Sequence, residues 1–484
     1  MHLPVKYSGQ VFTPDYLVKI ILDEAGYFGP SILKKHCIEN SCGDGAFLIE
    51  IIKRYSSEYY KIHHSFEGIQ HDISTFIHGI EQDPVAYRCC IDNLNALCDE
   101  LGFHVSQFDI SNEDTLMTSR FTGKMDFVVG NPPYVRVHNL NDSYSTVKSF
   151  SFASEGMTDL YLVFFEIGFN MLKKGGKLCY ITPSSWLNSL AGSKLREHIR
   201  QNLDLKSLID LGHFQAFKAT TYTLVSLFTK GERFESFAYH TFDEKTLHKS
   251  FVDNLSIQEI DINNYFFLAD HNTLATLKPL FTTPVKKYVS VKNGFATLAD
   301  KIFIRDTFPF SEFLIPVIKA STGKWYQAFF PYTIQGKPLS KEQIFSIESV
   351  ADYLNRNKTD LLKDADEITR PDWYLFGRTQ ALKDVAFDKL SINTLIKDTQ
   401  SIKINSVPKG CGIYSGLYIL SDGVDFKIIE SILRSSQFID YIAALKKYKS
   451  GGYYTFNSKD LETYINFHLQ QRSNETTKIA DHDQ

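Results

Sequence analysis

Up to residue 230 the chain alternates short apolar runs with longer amphipathic stretches, and this alternation constrains its fold most. Strand and helix signals in regular succession specify an α/β sheet. Cys37-Ile38-Glu39 with its neighbours reads as a first strand that breaks at Gly43-Asp44-Gly45. A helix follows with Phe47, Leu48, Ile51, Ile52 and Tyr55 on one face. Phe76 to Ile80 reads as a second strand ending at Glu81-Gln82-Asp83. Asp83 then stands as N-cap, with Pro84 at the first position of a helix running towards Glu100. A third strand is expected to end near Phe108-Asp109, and Asp126-Phe127-Val128-Val129-Gly130 is a fourth. Thr158 is expected to cap an apolar helix, Leu160 to Leu172, that stops at Gly175-Gly176. Lys177 to Thr182, Leu205 to Leu211 and Tyr222 to Phe228 complete seven strands. The last two lie close enough to form an antiparallel pair at one sheet edge.

Beyond Lys230 the rhythm loosens, and aromatic residues mix with Lys and Arg, as in Arg370-Pro371-Asp372-Trp373-Tyr374. We expect a first domain over 1–240 and an irregular α+β domain over 241–484, with a boundary in the zone 235–285. The 484 residues allow each domain its own core. A formal net charge of −4 excludes a global basic excess, so a nucleic-acid surface has to be a local patch. The seven cysteines include no CxxC spacing, which favours reduced thiols over a structural zinc site. No uninterrupted apolar segment reaches membrane-spanning length, and a cytoplasmic protein without metal or membrane partner is expected. The polar last dozen residues are expected to be a loose tail.

Three strand tips and one tetrapeptide carry the chemistry. Asn131-Pro132-Pro133-Tyr134 follows the fourth strand. Two prolines there make a stiff extended corner without a backbone donor to spare. Such a corner can hold a carboxamide and a carbonyl as acceptors beside an aromatic ring, which suits a planar amino-bearing substrate. The Gly43/Gly45 loop lets a ligand approach the backbone, though a plain strand-to-helix turn would look the same. No Lys-Ser/Thr follows it, which argues against a phosphate-binding Walker loop. Glu81 stands where doubly wound folds put a carboxylate for ribose hydroxyls, or is a solvated strand-end acid. Asp109 is the candidate acceptor for an adenine amino group.

In this order the glycine loop, Glu81, Asp109 and Asn-Pro-Pro-Tyr resemble the class I S-adenosylmethionine-dependent methyltransferases that modify exocyclic amino groups. More narrowly, the chain is similar to the TaqI-type, or gamma-group, adenine-specific DNA methyltransferases of restriction–modification systems. Gly9-Gln10-Val11-Phe12-Thr13-Pro14 matches that group's cofactor-contacting N-terminal segment. Ile38 to Leu48 matches its cofactor loop, with Asn40-Ser41 in place of Pro-Ala. Both glycines remain, so binding is expected to survive. Asn293 to Lys301, Trp373 to Gln380 and Gly452 to Leu461 resemble stretches of the group's target-recognition domains.

The resemblance implies a Rossmann-like doubly wound sheet with an antiparallel last strand, followed by a target-recognition domain. It implies S-adenosyl-L-methionine held by Phe12, Thr13, Glu39, Ser41, Gly43, Gly45, Glu81, Gln82, Asp109, Ile110 and Asn131. It also implies a flipped adenine in double-stranded DNA, its amino hydrogens accepted by the Asn131 side chain and the Pro132 carbonyl. Tyr134 would stack on that base, and Phe217 is the aromatic residue expected from the loop before the last strand. Phe214 is its alternative, and a packing role is the plain reading of Phe217. Lys301, Arg370, Arg378, Lys449 and Lys459 are candidates for phosphate contacts, with guanine edges a further target for the Arg, although for any one Lys a solvated surface role is the plainer reading. The Gly451-Gly452 pair allows close approach to DNA or a simple turn.

A monomer is expected; a separate cognate restriction endonuclease is a possible partner, with no stable complex implied, and the sequence does not decide whether one exists. Methylation without cleavage is expected, because residues 1–36 leave no room for a nuclease domain before the first strand. Other readings stay open: an amino-group methyltransferase acting on RNA or on a protein glutamine, and a catalytically inactive DNA-specificity module.

Overall fold

The computed structural model describes residues 13–136, 144–217, 221–363 and 365–482, without the side chains of residues 144 and 476–482. It divides into two compact units, 1–275 and 276–484.

The first unit is built on a nine-stranded sheet in the order β3-β2-β1-β4-β5-β7-β6-β8-β9. The strands are β1 Cys37–Glu39, β2 Ile77–Ile80, β3 Asp109–Ser111, β4 Met125–Gly130, β5 Leu172–Pro183, β6 Leu205–Asp210, β7 Thr223–Thr229, β8 Phe237–Asp243 and β9 His248–Leu255. β1 runs parallel to both β2 and β4, and β7 is antiparallel to β5 and β6. The doubly wound sheet with an antiparallel seventh strand is thus present. The β6/β7 pair does not close the sheet, however. β8 adds to β6 in parallel, from Ser207↔Ala238 to Asp210↔Thr241, and turns back antiparallel into β9. A boundary at 240 would cut β8, so the division falls instead at 275/276, within the helix His271–Thr282.

The helices of this unit follow the apolar pattern. α1 (Asp15–Ala25) and α2 (Ala46–His63) bury Leu17, Ile21, Phe47, Leu48, Ile51, Ile52 and Tyr55 in one core. α3 is Ile69–Phe76. α4 (Pro84–Leu101) opens as expected: the Asp83 carboxylate accepts the Val85 and Ala86 amides at 2.7 and 3.1 Å. α5 (Leu160–Met171) is buried nearly all round, from Leu160 through Phe165 to Met171, so it is an internal helix. Its N-cap is Asp159 rather than Thr158, whose hydroxyl donates to the Ala153 and Glu155 carbonyls of the preceding loop. Nor do Gly175 and Gly176 stop that helix, because β5 begins at Leu172 and runs through both. At Gly176 a Cβ would lie 2.7 Å from the Met125 carbonyl oxygen, so the glycine lets β5 run close to β4.

The second unit is the expected irregular α+β assembly. One sheet orders its strands as Val289–Asn293, Leu417–Ser421, Lys389–Ile392 and Ile404–Val407, all antiparallel. Another mixes Leu314–Lys319, antiparallel to Lys324–Phe329, with Gly412–Tyr414 in parallel. Phe303, Phe329, Trp373 and Phe376 fill the larger core. The helix Ser458–His482 carries the polar C-terminal stretch, in place of the expected loose tail. Among the described residues no helix is long and apolar enough to cross a membrane, and no group of acids, His and Cys is arranged to hold a metal.

Candidate active site

The chain leaves β1 for β2 on one side and later returns to β4 on the other, so a crevice opens beyond their carboxyl ends. Glu39 ends β1 and is 3% exposed. Its Oε2 has no hydrogen-bond partner among the described residues, and the buried Ser41 hydroxyl likewise has none. Burial pushes the Glu39 carboxyl well above the ordinary range, with Cys90, Asp44 and Glu81 adding to the shift. Next in the loop, Asn40 is fully buried where the family pattern has proline. Its Oδ1 accepts from the Tyr180 hydroxyl at 2.9 Å and its carbonyl from Thr115 Oγ1 at 2.6 Å. The departure from the pattern therefore ties the loop to β5 through the side chain, while the main-chain carbonyl holds the segment after β3.

The glycines serve different ends. At Gly45, with φ +91°, a Cβ would lie 2.8 Å from Cys90 Sγ, so the loop closes on α4 only without a side chain. At Gly43, with φ +55°, a Cβ would meet nothing within 4 Å. There the backbone faces open space while its amide donates to Glu81 Oε2 at 2.8 Å. The other Glu81 oxygen accepts the Asp83 amide at 2.8 Å. Burial raises the Glu81 pKa, and these two amide donors oppose the rise. Each carboxylate oxygen keeps lone-pair capacity for a further donor. Gln82 is exposed, and its carbonyl accepts from Asn112 Nδ2 at 3.1 Å.

Asp109 does not join this group. It opens β3, an edge strand, instead of ending it, and lies opposite His78 of β2. Its Oδ2 bonds His78 Nδ1 at 2.6 Å, and its Oδ1 pairs with the Arg120 guanidinium. His78 in turn bonds His36 Nδ1 at 2.9 Å. Ile110 is buried and packs beside Gly79 and Leu48. The carboxyl end of β3 presents Ser111 and Asn112, then Asp114, whose carboxylate accepts the Leu116 amide at 2.9 Å. Asn112 Nδ2 donates to the Glu81 carbonyl at 2.7 Å, which fixes this turn beside the Glu81 tip. The sequence signal was present: Asn112-Glu113-Asp114 is a polar, acidic turn just past an apolar position.

Asn131 follows β4, and its Nδ2 donates to Thr13 Oγ1 at 3.1 Å. That bond sets the rotation of the carboxamide and brings the only described part of the N-terminal segment against the tetrapeptide. Thr13 is buried; Gly9 to Phe12 lie outside the described residues. Pro132 is buried. Tyr134 donates to the Ile181 carbonyl of β5 at 3.2 Å, and burial holds its phenol well above the ordinary pKa. Its ring meets Phe217 edge to face, centroids 6.1 Å apart at 73°, and Tyr161 likewise at 6.3 Å. Phe214 sits elsewhere, against Tyr16 and Phe242. Of the two loop aromatics, Phe217 is the one beside the tetrapeptide.

Residues 70–217 match the family model of the Eco57I restriction-modification methylases. The Type II restriction enzyme and methyltransferase RM.Eco57I of Escherichia coli is 23% identical over 90% of this chain and 54% of its own length. The Type II methyltransferase M.PaeR7I of Pseudomonas aeruginosa is 29% identical over 43% of this chain and 38% of its own length. The chain thus spans about half or less of the length of these relatives. Its fold is similar to that of the Type IIL restriction-modification enzyme MmeI, solved in complex with DNA. The TM-score is 0.61 at 12% identity, over 92% of this chain and 64% of that one. A nuclease-deletion mutant of the Type ISP restriction-modification enzyme LlaGI, with a DNA substrate mimic, gives 0.53 at 14% identity, over 96% and 54%. The chain has the class I methyltransferase fold and, by family model and curated relatives, is similar to the methyltransferases of restriction–modification systems.

Proposed function

We propose that this chain methylates the exocyclic N6 of an adenine flipped out of a specific duplex DNA sequence, using S-adenosylmethionine, within a restriction–modification system. The observation that carries the reading is the convergence of three strand tips. Glu39, the Gly43–Glu81 bond and the Asn131–Thr13 bond meet beyond β1, β2 and β4, with Tyr134 and Phe217 alongside. The residues fit the cofactor's chemistry. The unpartnered Glu39 oxygen and Ser41 hydroxyl suit its charged and polar groups, and Glu81 suits a ribose diol. Open space over Gly43 admits a ligand against the backbone. When bound, S-adenosylmethionine supplies an electrophilic methyl group on a sulfonium centre.

The protein's own part is positioning. An adenine amino nitrogen shares its lone pair with the ring and is a poor nucleophile. Acceptors on both amino hydrogens draw that lone pair out of conjugation, and the Asn131 carboxamide with the Pro132 carbonyl are those acceptors. A stiff corner holds them without reorganisation, so no strong base is needed before attack. Unstacking the base costs a few kcal/mol, and the Tyr134 and Phe217 rings recover part of it. The test is transfer of labelled methyl to duplex DNA by wild type and Asn131→Ala. An Asn131→Ala protein with near-normal rates would remove the central assignment.

A further inference from the structure

The second unit contains a cavity of about 610 Å³. Asn293, Thr379, Gln380 and Ser458 line it, so all three stretches that resemble target-recognition segments reach its wall. Specific bonds bring them together. The Gly377 amide donates to the Thr297 carbonyl at 2.9 Å and Gln380 Nε2 to the Gly294 carbonyl at 2.5 Å, and just outside the first and third stretches the Val291 amide donates to Glu462 at 2.8 Å.

The charge around the cavity is lopsided. Asp384, 4% exposed, is the only acid in its lining, and its Oδ2 already accepts from Lys292 at 2.8 Å and Tyr418 at 2.6 Å. Lys383 is exposed on the wall and makes no ion pair among the described residues. Behind Asp384 lies Lys389, 2% exposed, its ammonium donating only to the Asp384 and Phe387 carbonyls, at 2.9 Å each. Three lysines thus surround one aspartate. Burial draws the Lys389 ammonium down to about 8, the mark of a cation held without a full counter-charge. The lining offers an incoming group donors: two ammonium groups, and hydroxyls from Thr379 and Ser458. The carboxamides of Asn293, Gln335 and Gln380 add both donors and acceptors, but the only charged groups on the wall are two ammonium groups and one carboxylate that is already occupied. An acceptor-only anion fits better.

We propose that this cavity seats one phosphodiester of the DNA backbone, with Lys292 and Lys383 as its ligands and Asp384 as the positioning residue for Lys292. The assignment rests on the DNA reading above. A phosphate contact fixes register without reading sequence, and it releases counterions.

The experiment measures duplex binding by the full chain across about 50–200 mM salt, the range over which phosphate contacts weaken most visibly. Lys383→Ala should flatten the slope of log K against log salt by about 0.9. Affinity should fall by one common factor for specific and unrelated duplexes, with cofactor binding unchanged. Lys292→Gln should act in the same direction; should it unfold by stranding Asp384, the exposed Lys383 position still decides. An unchanged slope for Lys383→Ala overturns the proposal, as does a loss confined to one sequence. An equal loss in Lys427→Ala, an exposed lysine outside the cavity, also overturns it. A wild-type protein that binds no duplex would instead sink the functional reading itself.

Discussion

Asn131 is useful to an amino-group substrate only if its carboxamide is held, and Thr13 holds it from 118 residues away in sequence. No local pattern announces that pairing; the N-terminal segment was legible only through its resemblance to a cofactor-contacting one. Removing the carboxamide in Asn131→Ala should lower the methylation rate on the order of 100-fold, the usual loss when a reacting group is misplaced. Cofactor affinity, measured by equilibrium binding, should change far less. Phe217 and Phe214 could not be separated by spacing, because loop length varies there; their ring neighbours separate them. Phe217→Ala should weaken binding of duplex DNA by roughly 1–3 kcal/mol, the worth of one stacked base, and leave cofactor binding intact. Equal loss of both in paired titrations would return Phe217 to a packing role.

At the scale of elements, most of the sheet was legible because its strands and helices keep their periods. The misplaced strand end at Asp109 has a physical cause. An acid after an apolar run reads as a strand end, yet pairing with β2 continues two residues further, to Ser111. Burial disfavours the Asp109 carboxylate, but the bonds from His78 and Arg120 outweigh it and hold its pKa below the usual range. The stability it contributes is therefore present above the unfolded carboxylate pKa and lost as acid protonates the folded group. Asp109→Asn should lower the melting temperature at neutral pH, flatten its fall in acid and spare cofactor affinity. A specific loss of cofactor affinity would restore Asp109 to the site. Gly45→Ala should cost about 1–3 kcal/mol from close contact and backbone strain. Cys90→Ala should relieve the contact, because the added Cβ would lie 2.8 Å from Cys90 Sγ, and recover part of that stability in a thermal melt. The hairpin β8–β9 was missed because its alternation is weak: β9 is exposed along most of its length, so its sequence carries little apolar pattern.

At the scale of the whole molecule, the two units have separate cores, and the division falls at 275/276, inside the expected zone 235–285 but beyond the expected boundary at 240. The proposed site in the first unit was readable from four short motifs because strand tips converge by topology. The cavity of the second unit was not, since it is assembled from segments far apart in sequence, Asn293 and Ser458 among them. The central claim is the chemical identity of the methyl acceptor. The most direct measurement incubates the full chain with labelled S-adenosylmethionine and duplex DNA of mixed sequence, digests the product and separates its nucleosides. Label in N6-methyladenine, its rate of appearance cut on the order of 100-fold by Asn131→Ala, is the predicted result. Label in a cytosine derivative, or in RNA or protein supplied in parallel but not in the duplex, would contradict the account.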